Sequence, residues 1–324
     1  MLAYVLRRLL LLIPTVLGIV LITFSLFSLV ATDPARQYAG KQATPQVLDS
    51  IRAKMGLNKP RMLPNFDAYK QTGHVTSLLD TQFFDVLFFR FPKSMQYNES
   101  VWDLLWRKGP VSLAIQLPAF ILSLGLTLLL SLLCAARRGR GFDLTMTFAS
   151  ILMMSVPGVS IYLISQWLLG AKLQIFPVAG WDSGFFALQY AALPVLVSVV
   201  AGLGGDVRFY RTVALEEVSA DYVRTGRAKG VGENDLLMVH VLRNILIPVI
   251  TGTVTTLPLL FLGAVILEQT FQIPGLGGLL SSAVLANDRP VVMFIVYVTS
   301  VLYCLALVVN DVAYTLADPR VVLS

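Results

Sequence analysis

The stretch Glu216–Pro248, with the sequence EEVSADYVRTGRAKGVGENDLLMVHVLRNILIP, is a charged segment that lies between long apolar runs. Its charges alternate in sign, and Asp221 lies three residues before Arg224, so the two side chains can pair on one face of a helix. Gly230 and Gly232 allow a sharp reversal of the chain because glycine tolerates positive φ. The stretch therefore predicts a helix, a tight turn and a second helix.

A polar hairpin between apolar runs indicates that a partner docks on it. Tyr222 and Val223 are the apolar residues of the hairpin best suited to anchor that partner, since aromatic side chains are enriched in binding hot spots. The alternative is a solvated charged hairpin without a partner, because most charge runs are solvated faces.

The composition indicates an integral membrane protein. Of 324 residues, 56% are hydrophobic and only 14% are charged, whereas a soluble domain carries about 25% charged residues. Six runs have the roughly 17–25 apolar residues that a membrane-spanning helix needs, although Gln189 and Pro194 interrupt the fourth run. The six predicted spans are Leu9–Val30, Val111–Ala136, Leu144–Leu169, Phe185–Gly205, Ile245–Leu267 and Val291–Val309. We therefore predict an all-α membrane protein with six transmembrane helices.

The first apolar run follows Arg7 and Arg8, as the apolar part of a signal peptide does. The apolar region of a signal peptide usually has about 7–15 residues, and the run Leu9–Val30 is longer. We expect an uncleaved membrane anchor, with cleavage after Ser28–Ala31 as the alternative.

Basic residues are concentrated in alternate short loops, which predicts that both termini lie in the cytoplasm. The basic loops contain Arg7 and Arg8, then Arg137, Arg138 and Arg140, then Arg208, Arg211, Arg224, Arg227, Lys229 and Arg243, and finally Arg320. The intervening short loops contain only Lys172 and Arg289. The net charge of +6 is explained by this asymmetry, so we expect membrane lipid and no nucleic acid as a partner.

The predicted organisation is an N-terminal span (1–31), an extracytoplasmic loop (32–110), a transmembrane core (111–316) and a cytoplasmic tail (317–324). The core contains a cytoplasmic loop at 208–244. We expect short helices at Pro45–Lys54 and Ser100–Lys108, the second with Ser100 as N-cap and Asp103 in its first turn. The long loop either covers the extracytoplasmic mouth, meets a delivery protein, or only packs on the bundle.

Sequence signals for catalysis are absent. No P-loop pattern, HExxH motif or G-x-S-x-G motif occurs, and His74 and His240 are the only histidines. We therefore expect no catalytic residue, no metal site and no cofactor bound by this chain. Pro274–Gly278 is rich in glycine, but we interpret it as a re-entrant turn before a short helix.

Ionisable residues are scarce inside the predicted spans. Asp206, Glu268 and Asp311 fall near span ends, whereas an ion-coupled carrier commonly has such groups near the midplane. The energy for any transport should therefore come from outside the chain. Candidate residues for a polar pathway are Gln166, Ser198, Thr251 and Thr255. The alternative for each is hydrogen bonding between helices.

Segments along most of the chain resemble one family. The core of the hairpin, Asp221–Gly230, resembles the cytoplasmic "EAA" loop of ABC-importer permeases of the oligopeptide/dipeptide group. Tyr4–Arg8, Met55–Pro60, Glu268–Gly277 and Asp318–Arg320 resemble other stretches of the same family; these segments read YVLRR, MGLNKP, EQTFQIPGLG and DPR. The chain departs from the family in having Gly226 where alanine is common, and in lacking a Gly-Asp-Phe/Leu-Gly pattern within residues 64–96.

The resemblance implies a type I ABC-importer permease fold, in which the loop sits in a groove of a separate ATPase and transmits its motion. The implied ATPase-coupling residues are Glu217, Asp221, Tyr222, Arg224, Thr225, Gly226, Ala228, Lys229, Gly230 and Glu233. The implied partners are a second permease subunit, two ATPase subunits that use ATP and Mg²⁺, and an extracytoplasmic substrate-binding protein. Peptides are the implied substrate, with nickel, a sugar or glutathione as alternatives. An autonomous secondary carrier and a non-transporting scaffold are the rival classes.

Overall fold

The computed structural model describes residues 2–30, 34–39, 44–54, 56–182 and 184–317 of the chain, and this part is helical without a β-strand. The first helices are α1 (Leu2–Val30), α2 (Pro34–Ala39), α3 (Pro45–Lys54), α4 (Phe66–Thr72), α5 (Gln82–Leu87) and α6 (Val101–Ala136). The next are α7 (Gly141–Ser155), α8 (Gly158–Ser165), α9 (Ala187–Val218), α10 (Asp221–Ala228) and α11 (Glu233–Asp235). The last are α12 (Leu242–Leu262), α13 (Val265–Thr270), α14 (Leu276–Leu285) and α15 (Arg289–Ala317). The predicted all-α fold is confirmed.

Shorter helical pieces connect some of these helices. A π-helical segment, Gln166–Lys172, prolongs α8, and a second one, Leu236–Val241, joins α11 to α12. Single 3₁₀ turns lie at Val75–Leu79 and Gly184–Phe186.

Among the residues that the structure describes, five helical segments are long and apolar enough to cross a membrane, and a bent pair of helices makes a sixth if it counts as one span. The five are Leu10–Phe27, Val101–Ala136, Ala187–Val218, Pro248–Thr270 and Arg289–Ala313. They correspond to five of the six runs expected from hydropathy, and the bent pair corresponds to the third run.

The third predicted span, Leu144–Leu169, is not one straight helix. It consists of α7 and of α8 with its π-helical extension, and the two parts meet at an angle of 90°. Pro157 lacks an N–H group and disfavours helical geometry at the preceding residue, and Val156 accordingly has φ −96° and ψ 122°. Length and hydropathy alone predict one continuous span here, because they do not register the effect of Pro157 on the residue before it.

The helix predicted at Ser100–Lys108 is not separate from the second span, because α6 runs continuously from Val101 to Ala136 through Pro110. Gly109 has no Cβ, which removes part of the clash that a proline makes with the residue before it. The prediction for Ser100 is confirmed, since its hydroxyl accepts a hydrogen bond from the N–H of Trp102 at 3.3 Å. The prediction of a helix at Pro45–Lys54 is confirmed by α3.

Contacts divide the chain into two compact units, and the first contains the described residues up to Gly109 together with Leu279–Val308. Its core is aromatic: Phe24 of α1 packs edge-to-face on Phe83 of α5, and Tyr297 of α15 stacks on Phe89. The hydroxyl of Tyr297 donates to the carbonyl of Leu87 at 3.0 Å. These contacts tie the segment between α4 and α6 to two of the long apolar helices.

The second unit contains residues 110–278 and the described residues after Val308. In this unit α7 packs on α9, where Gly204 faces Ser150 and Met153. A Cβ at residue 204 would lie 2.8 Å from the Cβ of Met153 and 2.9 Å from the carbonyl oxygen of Ser150. Glycine at this position therefore permits the close approach of the two helices.

The length of α9 determines where the polar hairpin lies. Its 32 residues extend for about 48 Å at a rise of about 1.5 Å per residue, whereas the hydrocarbon core of a bilayer is about 30 Å thick. A helix of this length carries its C-terminal end beyond the membrane core, and the hairpin follows directly at residue 219.

We predict that Gly204→Ala destabilises the protein by about 1–3 kcal/mol, because the new methyl group meets backbone and Cβ atoms of α7. Thermal unfolding of the purified protein in detergent measures the effect. Gly205→Ala is the matched control, since a Cβ at residue 205 meets nothing within 4 Å. Equal unfolding temperatures for the two variants would contradict the packing described here.

Candidate functional site

The predicted helix–turn–helix in the polar hairpin (residues 217–244) is confirmed. After α9 ends at Val218, α10 runs from Asp221 to Ala228, the chain reverses at Gly230 with φ +80°, and α11 begins at Glu233. The N–H of Val231 donates to the carbonyl of Gly226 at 3.1 Å and closes the turn. Positive φ explains the need for glycine at position 230.

The inner face of α10 is apolar and packed. Val223 is buried, with 1% of its surface exposed, in a cluster to which α6, α9 and α12 contribute. The buried members of this cluster are Leu132, Ala135, Tyr210, Ala214, Val223, Leu236, Val241, Ile245 and Val249. The expectation that Val223 is exposed and anchors a partner is therefore wrong, because its side chain attaches the hairpin to its own helices. Tyr222 remains 37% exposed.

Glu217 joins three helices at the base of the hairpin. Its Oε2 atom accepts hydrogen bonds from the hydroxyl of Tyr222 at 2.8 Å and from Nδ2 of Asn244 at 3.2 Å. Partial burial, together with the hydrogen bond to Glu217, raises the pKa of Tyr222 to about 12, so the phenol stays protonated in the physiological range. This arrangement fixes α10 to α9 and α12.

Two ion pairs lie on the outside of the hairpin. Arg227 donates through Nε and Nη2 to the carboxylate of Glu233 at 2.7 and 3.2 Å, and this hydrogen bonding lowers the pKa of Glu233. The predicted pair of Asp221 and Arg224 is confirmed at 3.3 Å. Both pairs are largely exposed, so each contributes at most about 1 kcal/mol to stability.

Gly226 makes room for the second half of the hairpin. A Cβ at residue 226 would lie 2.6 Å from Cδ2 of Leu236, a residue that is itself 1% exposed. From the sequence, Gly226 is recognisable only as a departure from the family pattern. The structure gives it a role in packing the turn against the start of the π-helical segment.

A buried ion pair holds the part of α9 that leads to the hairpin. Arg211 donates through Nε and Nη2 to the two carboxylate oxygens of Asp143 at 2.5 and 2.8 Å, and the N–H of Gly139 donates to the same carboxylate at 2.9 Å. The side chain of Asp143 is only 1% exposed. The pair fixes α9 to the turn between α6 and α7, and the sequence offered no signal that these two residues meet.

The stretch Pro274–Gly278 was predicted to be a re-entrant turn before a short helix; Pro274 and Gly275 do precede the short helix α14, whereas Leu276–Gly278 already form its start. The backbone of this stretch faces the buried carboxylate of Glu268, which accepts hydrogen bonds from Ser112 Oγ at 2.7 Å and from the N–H of Gly278 at 2.8 Å. Ser112 Oγ in turn accepts from the N–H of Leu276 at 2.7 Å. The glycine-rich stretch thus holds a carboxylate of this chain.

The four predicted pathway residues lie on three different segments. Gln166 donates from Nε2 to the carbonyls of Val178 and Thr270 at 2.9 and 2.8 Å. Ser198 is half-buried on α9, while the hydroxyl of Thr255 donates to the carbonyl of Thr251 one turn earlier on α12. Their role in lining a pathway stays a prediction. In the part of the chain that the structure describes, no group of three or more metal-ligating side chains could hold a metal ion.

The chain matches two family models over nearly its full length. The model for the binding-protein-dependent transport system inner membrane component matches residues 127–323, and the model for the N-terminal part of such components matches residues 1–116.

Alignments with curated relatives extend over 99% of this chain and over 99% of each relative. A putative peptide transport system permease protein of Brucella suis biovar 1 is 31% identical over 325 residues. A dipeptide transport system permease protein of Lactococcus lactis subsp. cremoris and a glutathione transport system permease protein of Salmonella choleraesuis are each 31% identical over 322 residues.

We predict that Asp143→Asn destabilises the protein by about 3 kcal/mol, because it leaves the partly buried Arg211 without its anionic partner. The double variant Asp143→Asn with Arg211→Gln should recover part of this loss, since no unpaired charge remains. Thermal unfolding of the parent, the two single variants Asp143→Asn and Arg211→Gln, and the double variant in detergent gives the coupling energy.

Asp221→Asn is the control, because Asp221 and Arg224 form the same kind of pair with side chains that are 94% and 72% exposed. This variant should change stability by less than about 0.5 kcal/mol. Equal losses for the buried and the exposed carboxylate would contradict the importance given to the Asp143–Arg211 pair.

Proposed function

The chain belongs to the family of binding-protein-dependent transport system inner membrane components, and we infer from this membership that it is the membrane-spanning permease subunit of an ABC importer for peptides. The relatives named as peptide and dipeptide permeases support peptides as the substrate class. The inference includes a topology with both termini in the cytoplasm, as the distribution of Lys and Arg predicts.

One observation carries the proposal: the polar hairpin is attached firmly on one side and presents polar side chains on the other. Val223 and Leu236 bury the inner side. The outer residues Tyr222, Arg224, Thr225, Ala228, Lys229, Gly230 and Glu233 are exposed. A solvated loop without a partner needs no such attachment. A segment that transmits motion from one protein to another must be attached rigidly.

The proposed partners follow from this role. Two ATPase subunits, which use ATP and Mg²⁺, lie on the cytoplasmic side, and one of them contacts the hairpin of this chain. A second permease chain completes the pathway across the membrane, and an extracytoplasmic binding protein delivers the peptide. This chain contributes half of the pathway and no catalytic group.

The contacts within the hairpin supply a mechanism for coupling. When ATP draws the two ATPases together, the one docked on this chain pushes on the exposed side of α10. Val223 lies in one buried cluster with residues of α6, α9 and α12, and Glu217 accepts hydrogen bonds from Tyr222 and Asn244, so the push moves these helices with α10. Such a rigid displacement switches the pathway between inward-open and outward-open states.

We predict that the double variant Tyr222→Ala with Gly230→Leu abolishes ATP-driven peptide uptake while the ATPases still hydrolyse ATP. Removal of the aromatic contact and strain at a residue with φ +80° alter the shape of the hairpin that the ATPase recognises. Uptake and ATP hydrolysis are measured with the complete complex in proteoliposomes, after its expression and unfolding temperature have been compared with those of the parent.

Tyr69→Ala with Gly73→Leu is the matched control, since Tyr69 is similarly exposed on α4 and Gly73 has φ +68°. The control should retain the normal coupling of ATP hydrolysis to transport. Normal uptake by the hairpin variant at normal expression would refute the proposed function.

Glutathione is the second candidate substrate, because a glutathione permease is as similar to this chain as a dipeptide permease is. Competition distinguishes the two candidates. If unlabelled glutathione blocks the uptake of a labelled dipeptide only at great excess, peptides are the substrate, and the opposite order of potency supports glutathione.

A further inference from the structure

Asp206 of α9 carries a carboxylate to which the coupling mechanism gives no role. Its side chain is exposed, although α9 is one of the helices suited to cross a membrane. In the part of the chain that the structure describes, its hydrogen-bond partner is Ser123 of α6, and no basic side chain forms an ion pair with it. A charged side chain within a membrane span faces the interior of a bundle or a water-filled cavity, because contact with lipid is costly.

The contact with Ser123 indicates the depth at which Asp206 lies in the membrane. Ser123 is at the centre of the predicted second span, Val111–Ala136, about 18 Å from each end at a rise of about 1.5 Å per residue. Hydropathy alone places Asp206 just after the end of the fourth predicted span, Phe185–Gly205. Its contact with Ser123 places the carboxylate midway along the second span instead, because α9 continues as a helix beyond the apolar run.

A polar face of α9 leads to this carboxylate. Ser198, Gly202 and Asp206 follow one another at intervals of four residues, so they lie on one face of the helix. Gly202 is exposed, and a Cβ at this position would lie 3.6 Å from Oδ2 of Asp206. Glycine therefore leaves space beside the carboxylate. Because Ser198 is one of the predicted pathway residues, this face is the part of α9 best suited to line a pathway.

The helix around Asp206 is held in place on two sides. Tyr210, one turn later on α9, is buried, and a Cβ at Gly252 of α12 would lie 2.9 Å from its hydroxyl oxygen. Ser131 of α6 donates a hydrogen bond to the carbonyl of Val207 at 3.2 Å. These contacts with α6 and α12 fix the backbone that carries Asp206, so its carboxylate has a defined position.

We propose that Asp206 binds the α-ammonium group of the transported peptide midway across the membrane, an inference that rests on the proposed function. A peptide carries an ammonium group at its N-terminus at neutral pH, and such a group forms charge-assisted hydrogen bonds with a carboxylate. Ser123 orients the carboxylate, and Gly202 leaves room for the ligand. Every peptide with a free N-terminus has this group, so the contact suits substrates whose side chains differ.

Crosslinking without a spacer tests the contact. The complete complex in nanodiscs is mixed with ATP, labelled alanylalanine amide and dicyclohexylcarbodiimide. The carbodiimide activates a carboxylate, an amine in contact with it displaces the urea, and an amide bond joins the two. The probe has an N-terminal amine and no carboxylate, so it cannot react with itself. Mass spectrometry of this chain locates the label.

We expect the label on Asp206. Unlabelled alanylalanine amide should compete for this position, whereas its N-acetyl derivative should not, because it lacks the ammonium group. The variant Asp206→Asn should carry no label at position 206. The matched control is Asp103→Asn, which removes an exposed carboxylate from the first turn of α6 and should leave the labelling of Asp206 unchanged.

Uptake into proteoliposomes supplies a functional readout. Asp206→Asn should lower the maximal rate of ATP-driven dipeptide uptake about tenfold, the effect of losing one hydrogen bond to a charged group. The peptide concentration that gives half-maximal uptake should stay the same, because the binding protein captures the peptide. Asp206→Glu keeps the charge and should recover most of the rate.

Three results would overturn this inference. The first is a parent whose Asp206 reacts with the carbodiimide but takes no label, and the second is normal uptake by Asp206→Asn. The third is a crosslink from Asp206 to a lysine of another subunit, which would assign the carboxylate to a subunit contact. In each case ATP-driven uptake by the parent leaves the proposed function intact. Uptake by the parent that needs a proton gradient and no ATP would refute the proposed function itself.

Discussion

The burial of one face of α10 is the constraint on which the rest of this account depends. Val223 and Leu236 are both 1% exposed, in a cluster formed with α6, α9 and α12. Full burial of such side chains contributes about 1.5–3 kcal/mol each. The hairpin consequently cannot move without the helices on which it packs. The polar hairpin is therefore a rigid extension of the membrane-spanning helices.

Buried polar groups reinforce this arrangement where the chain must bend or where long helices must be held together. Asp143 and Arg211 connect α9 to the turn before α7, and Glu268 satisfies the backbone of the glycine-rich stretch at the start of α14. A buried carboxylate is costly unless it is paired or fully hydrogen-bonded. Each of these carboxylates has such partners, so each specifies one local geometry. Both lie in the same compact unit as the polar hairpin.

Local sequence signals predicted much of the fold. Hydropathy located five of the spans, Pro45–Lys54 was recognised as a helix, and the glycines of the hairpin indicated its reversal. The break at Pro157 was predictable from the restriction that a proline imposes on the residue before it, but length and hydropathy alone obscured it. The polar contacts of the site were not predictable in this way. Glu217 and Asn244 are separated by 27 residues in sequence, and Asp143 and Arg211 by 68. Contacts over such separations produce no periodic pattern in the sequence. The inward orientation of Val223 was missed for the same reason, because its partners come from distant helices.

Photocrosslinking from the exposed side of the hairpin tests whether an ATPase docks on α10. A photoreactive amino acid is placed at Ala228, which is exposed on α10, and in a control protein at Asn98, which is exposed in the other compact unit. After illumination of the intact complex, we expect an adduct between this chain and an ATPase subunit from position 228 but not from position 98. The yield of this adduct should change when ATP is added. An intact complex that gives no ATPase adduct from position 228, with or without ATP, would contradict this docking.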